Sequence, residues 1–218
     1  MRVRAAFLLL LIGTTQAHAE DLTFGADLRA SGWETVSFPK IAPVEFSAHA
    51  GTLEVVANSA AGLLWHALKA PRPAPATAQW SWKVELGVPV TDLKRRGEDD
   101  RALAVYFVFG ETGDATKGPM ALLSASTTRA LVYVFGGNGP RLSLVPSPHM
   151  GNRGKFIILR PGDGPKRQWL QESVDLKADY IRAFGQAPGL LLAVAVSSDS
   201  DDTRGRNRAQ LRGLRIDR

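Results

Sequence analysis

Residues Gln79 to Leu86 read QWSWKVEL, apolar and polar side chains in strict alternation. Trp80, Trp82, Val84 and Leu86 fall on one side of an extended chain, and Gln79, Ser81, Lys83 and Glu85 on the other. A helix, which repeats every ~3.6 residues, cannot sort them this way, whereas a strand repeats every two. The stretch predicts a half-buried strand of an antiparallel sheet. It also assigns both tryptophans to core packing rather than to a ligand.

Strand signals of the same kind dominate the rest of the chain. ETVSF (Glu34 to Phe38), TLEVVA (Thr52 to Ala57) and LLWHAL (Leu63 to Leu68) precede it. ALAVYFVF (Ala102 to Phe109) and LLLAVAV (Leu190 to Val196) are apolar on both sides and read as central strands. LVYVF from Leu131, Leu142 to Val145, Lys155 to Leu159, Trp169 to Val174 and Arg208 to Ile216 complete the set, with Gly/Pro turns between. Pro71, Pro73 and Pro75 are expected to interrupt regular structure. LKADYIRAF is the one helical stretch, a short helix at about 177–185 with Gly185 as its C-cap. The expected fold is all-β, an antiparallel sandwich or barrel in a single domain over 20–218.

The first residues are not read as part of that domain. MRVR, then the apolar AAFLLLLIG, then Ala17-His18-Ala19 have the three parts of a secretory signal peptide over 1–19, cut after Ala19. The apolar run is too short to span a bilayer, which takes roughly 20 residues. A periplasmic or secreted protein is expected. Its 199 residues contain no cysteine, so no disulfide, thiol nucleophile or zinc–thiolate site is available. The formal charge of +6 falls to +4 without Arg2 and Arg4. Arginines crowd the C-terminus from Arg204 onward, but no aromatic residues interleave with them, and a nucleic-acid partner is not expected.

Two acidic loops carry the chemical interest. Gly97-Glu98-Asp99-Asp100-Arg101 comes just before ALAVYFVF, and Asp199-Ser200-Asp201-Asp202-Thr203 just after LLLAVAVSS. If these strands are antiparallel neighbours, both loops meet at one rim. Asp199, Asp201 and Thr203 have the spacing that opens an EF-hand loop, but Arg204 replaces its glycine and Gln210 its final glutamate, so that motif is rejected. A simpler calcium site from Asp99, Asp100, Asp199 and Asp201 remains an expectation to test, as do arginines filling the same role. Arg101 is expected to serve Asp99 more easily than Asp100, because successive residues of an extended segment point to opposite sides.

The order of motifs resembles the domain of unknown function 3047 family of exported bacterial proteins. The resemblance rests on WSWKV, GEDDRALAVYFVF, LVYVFGG, QWLQESVDLKADYIRAFGQAP and AVAVSSDSDDT, and spans roughly Trp33 to Ile216. Phe135 stands where the family's motif has tryptophan, and Asp202 where asparagine is usual. The resemblance implies a jelly-roll-like sandwich similar to carbohydrate-binding modules, and no assigned activity.

The expectation taken to the structure is an exported, non-catalytic binding protein of the cell envelope, with a glycan or envelope polymer as ligand. Asp99, Asp100, Arg101, Asp199, Asp201, Asp202 and Thr203 are the candidate contacts, with Tyr133 and Trp169 as aromatic partners. The alternative is a hydrolase or lyase acting on an exported polymer, with paired carboxylates as acid and base. No cofactor other than calcium is expected.

Overall fold

Two sheets packed face to face make up the computed structural model, which describes residues 20–73 and 77–217. The proposed signal peptide over 1–19 lies outside the described residues. In chain order the strands are β1 (Glu20–Asp21), β2 (Glu34–Ser37), β3 (Glu45–His49), β4 (Thr52–Asn58), β5 (Ala61–Pro73), β6 (Thr77–Leu86) and β7 (Arg101–Gly110). Then come helix α1 (Pro119–Ser124), β8 (Arg129–Phe135), β9 (Leu144–Ser147), β10 (Gly151–Arg160), β11 (Leu170–Asp175), helix α2 (Leu176–Phe184), β12 (Leu190–Asp199) and β13 (Arg206–Asp217). One sheet runs β11-β6-β13-β4-β3, with β1 also on β13, and the other runs β2-β5-β12-β7-β8-β10-β9. Of the two all-β forms that the strand pattern left open, this is the sandwich, the one the family resemblance implies.

The inner faces of the two sheets meet over an aromatic core. Trp80 and Trp82 of β6 are buried at 1% and 0% exposure, in edge contact at 5.6 Å. Trp80 also meets Tyr133 at 5.6 Å, and Trp82 meets Phe135 at the same distance. Each fully buried apolar side chain of this size contributes roughly 1.5–3 kcal/mol over its exposed state. A buried polar node sits among them. The Trp82 indole N–H donates to Glu172 Oε1 at 2.9 Å, and Arg160 Nε reaches the same oxygen at 2.6 Å.

The outer face of the seven-stranded sheet is buried too, which explains why β7 and β12 are apolar on both sides. Leu63, Trp65, Tyr106, Val108, Phe156 and Leu192 form a second core there, with Leu122 of α1 packed on it. Helix α2 ends at Gly185 as expected, and the structure adds an N-cap. The Asp175 side chain caps Ala178 N at 2.8 Å, and Gly185 closes the helix in the left-handed conformation at φ 70°.

Three features differ from expectation. Strand β5 runs through Pro71 to Pro73 rather than stopping there. β2 covers only its first part, Gly62 to Trp65, so later residues face an open edge where a missing N–H costs little. Helix α1 is a second helix, too short for a periodic signal and opened by Pro119 at its first turn. The pair β8–β10 is parallel within an otherwise antiparallel sheet. β9 intervenes in sequence and packs on the far side of β10, so β10 returns in the direction of β8.

Candidate functional site

β7 and β12 are antiparallel neighbours, and Arg101 at the start of one pairs with Asp199 at the end of the other. The two acidic loops therefore share one rim. The ladder is not regular there. Ser197 pairs with Ala104 and Asp199 with Arg101, so β7 carries one extra residue. Ala102 and Leu103 both join the inner core as a result. Arg101 is thereby turned to the outer face, where its Nη2 donates to the Tyr106 hydroxyl at 2.8 Å and its guanidinium lies 5.2 Å from the Phe156 ring centroid. Gly136, at φ 153°, lets the end of β8 pass close by, since a Cβ there would lie 2.9 Å from that of Arg101.

Arg101 holds the two loops together. It is 5% exposed, and its Nη1 lies 3.5 Å from Asp99 Oδ2 and 3.1 Å from Asp199 Oδ2. Burial opposes its charge, but Tyr106, Asp199 and Asp99 outweigh that and keep it protonated. Neither Arg204 nor Arg206 fills this position; both are exposed. Asn207, fully buried, reinforces the bulge. Its Nδ2 reaches Arg101 O at 3.1 Å, Ser198 Oγ at 3.0 Å and Asp199 O at 2.8 Å, while its Oδ1 accepts from Val88 N at 2.8 Å.

The aspartates divide into different roles. Asp100 is a clamp behind the rim: its carboxylate accepts from Asp202 N at 3.3 Å, Thr203 N at 2.7 Å and Thr203 Oγ1 at 2.6 Å. Asp99 meets His149 Nε2 at 3.2 Å through both oxygens. Burial pushes its pKa up, but His149 and Arg101 prevail and hold it below the ordinary value. Asp199 goes the other way, to about 9. Burial is the largest cause, and the nearby Asp201 and Asp100 add to it against the pull of Arg101. Asp199 thus holds its proton more readily than Asp99, although both lie beside Arg101. Asp202 is also raised, by burial and by the carboxylates of Asp100, Asp201 and Asp99.

A cavity of about 540 Å³ opens on this rim. Asp99, Arg101, Asp199, Asp201 and Asp202 line it, together with Tyr106, His149, Ser197 and Ser198. Arg96, Ser124 and Ser147 also line it, and the rest of its wall is largely apolar: Phe38 and Ile41 after β2, Leu63 of β5, Met120 and Leu123 of α1, Met150 of the β9–β10 turn, and Phe156. Three of its lining residues carry a buried polar atom without a protein hydrogen-bond partner: Arg101 Nε, Ser197 Oγ and Asp199 Oδ1.

Other sequence candidates lie elsewhere. Tyr133 is 0% exposed between the sheets, its hydroxyl donating to Asp179 at 2.9 Å, so it cannot face a ligand at the rim. Trp169 lies on the outer face of the six-stranded sheet, covered by Arg212 at 4.0 Å and Lys83 at 5.3 Å from its ring centroid. The backbone amide and hydroxyl of Thr203 are engaged by Asp100. Of the four proposed calcium ligands, Asp100, Asp199 and Asp201 bring an oxygen each within 4.8 Å of one another, and Asp99 is not in that group. Sequence reasoning missed Tyr106, His149, Ser197 and the two methionines. Tyr106 had a signal: a buried tyrosine in an apolar strand must still place its hydroxyl.

A family model for proteins of unknown function, DUF3047, matches residues 31–215. No curated protein matches the chain. Among solved structures, the chain is similar to the xyloglucanase domain of NopAA, a type three effector from Sinorhizobium fredii, in complex with cellobiose. That match has a TM-score of 0.46 at 8% identity, covering 93% of this chain and 96% of that one. It is also similar to a family 29 carbohydrate-binding module from Piromyces equi, with a TM-score of 0.43 at 8% identity over 93% and 91%. A thermostable cellulase derived from that of Rhodothermus marinus gives 0.43 at 15% identity over 92% and 95%.

Proposed function

The chain belongs to the DUF3047 family, and from that premise we propose that it is an exported binding protein whose cavity on the seven-stranded sheet takes a neutral saccharide. The observation that carries this reading is the trio of unpartnered buried atoms, Arg101 Nε, Ser197 Oγ and Asp199 Oδ1. The first can only donate, the carboxyl oxygen of Asp199 can accept, and the serine can do either. A hydroxyl does both, so a polyhydroxylated ligand can satisfy all three where a purely donor or acceptor ligand cannot. The size falls within the range of roughly 300–1,000 Å³ common for small-ligand sites. Carboxyls (Asp99, Asp199, Asp201, Asp202) and the cations Arg96 and Arg101 line the cavity together, so both signs of charge meet there, which suits a neutral ligand. Export rests on the N-terminal signal alone.

The test is a glycan array and titration calorimetry with residues 20–218. Ser197→Ala removes a hydroxyl that has no protein partner, so folding stability should hold. Affinity for the bound glycan should fall about tenfold, equivalent to one lost hydrogen bond of about 1.4 kcal/mol. Absence of binding to every neutral glycan would overturn the reading.

One observation favours a second reading on the same cavity. The pKa of Asp199 is pushed up and that of Asp99 down, and environments that push two carboxyls apart in this way suit acid and base roles in glycoside hydrolysis. Asp199 would protonate the leaving oxygen while Asp99 activates water. Asp199→Asn should then abolish release of reducing ends while retaining binding; unchanged turnover, or none in the parent, would remove this reading.

A further inference from the structure

Resting on the saccharide reading, we propose that the ligand is an amphiphile: a glycosyl head with an apolar aglycone, held head-inward. The lining of the cavity is uneven. Its charged groups come from the rim ends of β7 and β12 and the loops attached to them, joined by His149, which reaches Asp99. Its more exposed apolar groups come from the segment after β2, from α1 and from Met150 of the β9–β10 turn, with Ser124 and Ser147 among them. They also differ in exposure. Arg101 is 5% exposed and Ser197 2%. Met120, by contrast, is 47% exposed, and Phe38, Ile41, Leu123 and Met150 are half-buried.

A free saccharide would leave this apolar surface in water. Apolar surface in contact with water is costly in proportion to its area, and this wall continues the outer core, against which Phe38, Leu123 and Met150 pack, out to the exposed Met120. An alkyl chain attached to the sugar covers it. Two of the lining residues are methionines, whose unbranched, polarisable side chains adapt to chains of differing length. Arg153 Nη1 donates to Leu123 O at 3.0 Å and Ala125 O at 2.8 Å, which fixes α1 and its Met120 against β10 as a preformed wall.

The experiment uses residues 20–218 and a matched library in which each neutral glycan is offered as its methyl glycoside and as its octyl glycoside below the micellar concentration. Octanol is the headless control. At least one glycan should bind about tenfold or more tightly in octyl form. Met120→Ser with Met150→Ser should shrink that ratio towards one, whereas Ser197→Ala should weaken both forms equally. Equal binding of methyl and octyl forms would overturn this inference and leave the saccharide reading standing. Octanol binding as tightly as any glycoside would overturn the glycosyl head. Silence of the whole library would sink both.

Discussion

The carboxylate of Asp100 and the amide of Thr203 meet at 2.7 Å across 103 residues of chain, and the Thr203 hydroxyl adds a contact at 2.6 Å. One carboxylate thus closes one acidic loop on the other. Hydrogen bonds to a charged group contribute roughly 1.5–3 kcal/mol each. Asp100→Ala should therefore cost about 3–5 kcal/mol in denaturant unfolding, given three coupled bonds. Arg204→Ala, exposed nearby, should stay within about 0.5 kcal/mol. Equal stability of Asp100→Ala and the parent would show the clamp to be idle.

Calcium should leave the melting temperature unchanged. The cation between the loops is Arg101, and the oxygens of Asp100 are already engaged by Asp202 and Thr203. A calcium-dependent rise that Asp201→Ala removes would establish an ion site instead.

Stability should fall with rising pH through Asp199. The group ionises near 3.8 in the unfolded chain and near 9 in the folded protein. Its contribution is therefore fully present below the unfolded value and is lost progressively as pH rises to the folded one. Asp199→Asn supplies an uncharged isostere. It should match the parent at about pH 4 and exceed it by a few kcal/mol, in order of magnitude, at about pH 8. A difference that does not grow with pH would contradict a neutral Asp199.

Glu172→Leu should destabilise the fold by about 3 kcal/mol, because it strands the Trp82 indole N–H and leaves Arg160 unpaired. Thermal unfolding measures this, and an unchanged midpoint would mean that water replaces the carboxylate.

Trp169→Ala should leave glycan affinity within about twofold, since the ring lies on the opposite sheet beneath Arg212 and Lys83. The two cation–ring contacts are worth roughly 0.5–1 kcal/mol each at an exposed site. A large loss of binding would move the site to that face.

The sequence by itself determined an all-β fold of sandwich or barrel type and its central strands, and the meeting of the two acidic loops only on the condition that β7 and β12 pair, which the structure supplies. Alternation at Trp80–Leu86 and unbroken apolarity at Ala102–Phe109 and Leu190–Val196 report burial directly, because a strand's side chains have only two sides to choose between. Gly185 likewise marks the end of its helix through backbone freedom. Only the tertiary structure decided which aspartate does what. One extra residue in β7 turns Arg101 to the outer face, and a shift of one residue reverses the facing of every side chain beyond it. That bulge depends on Asn207, 106 residues away from Arg101. The cavity is likewise assembled from β2, α1 and the β9–β10 turn, segments with no common period. Their convergence is a matter of packing, and the ionisation of Asp99 and Asp199 follows from neighbours brought together only by the fold.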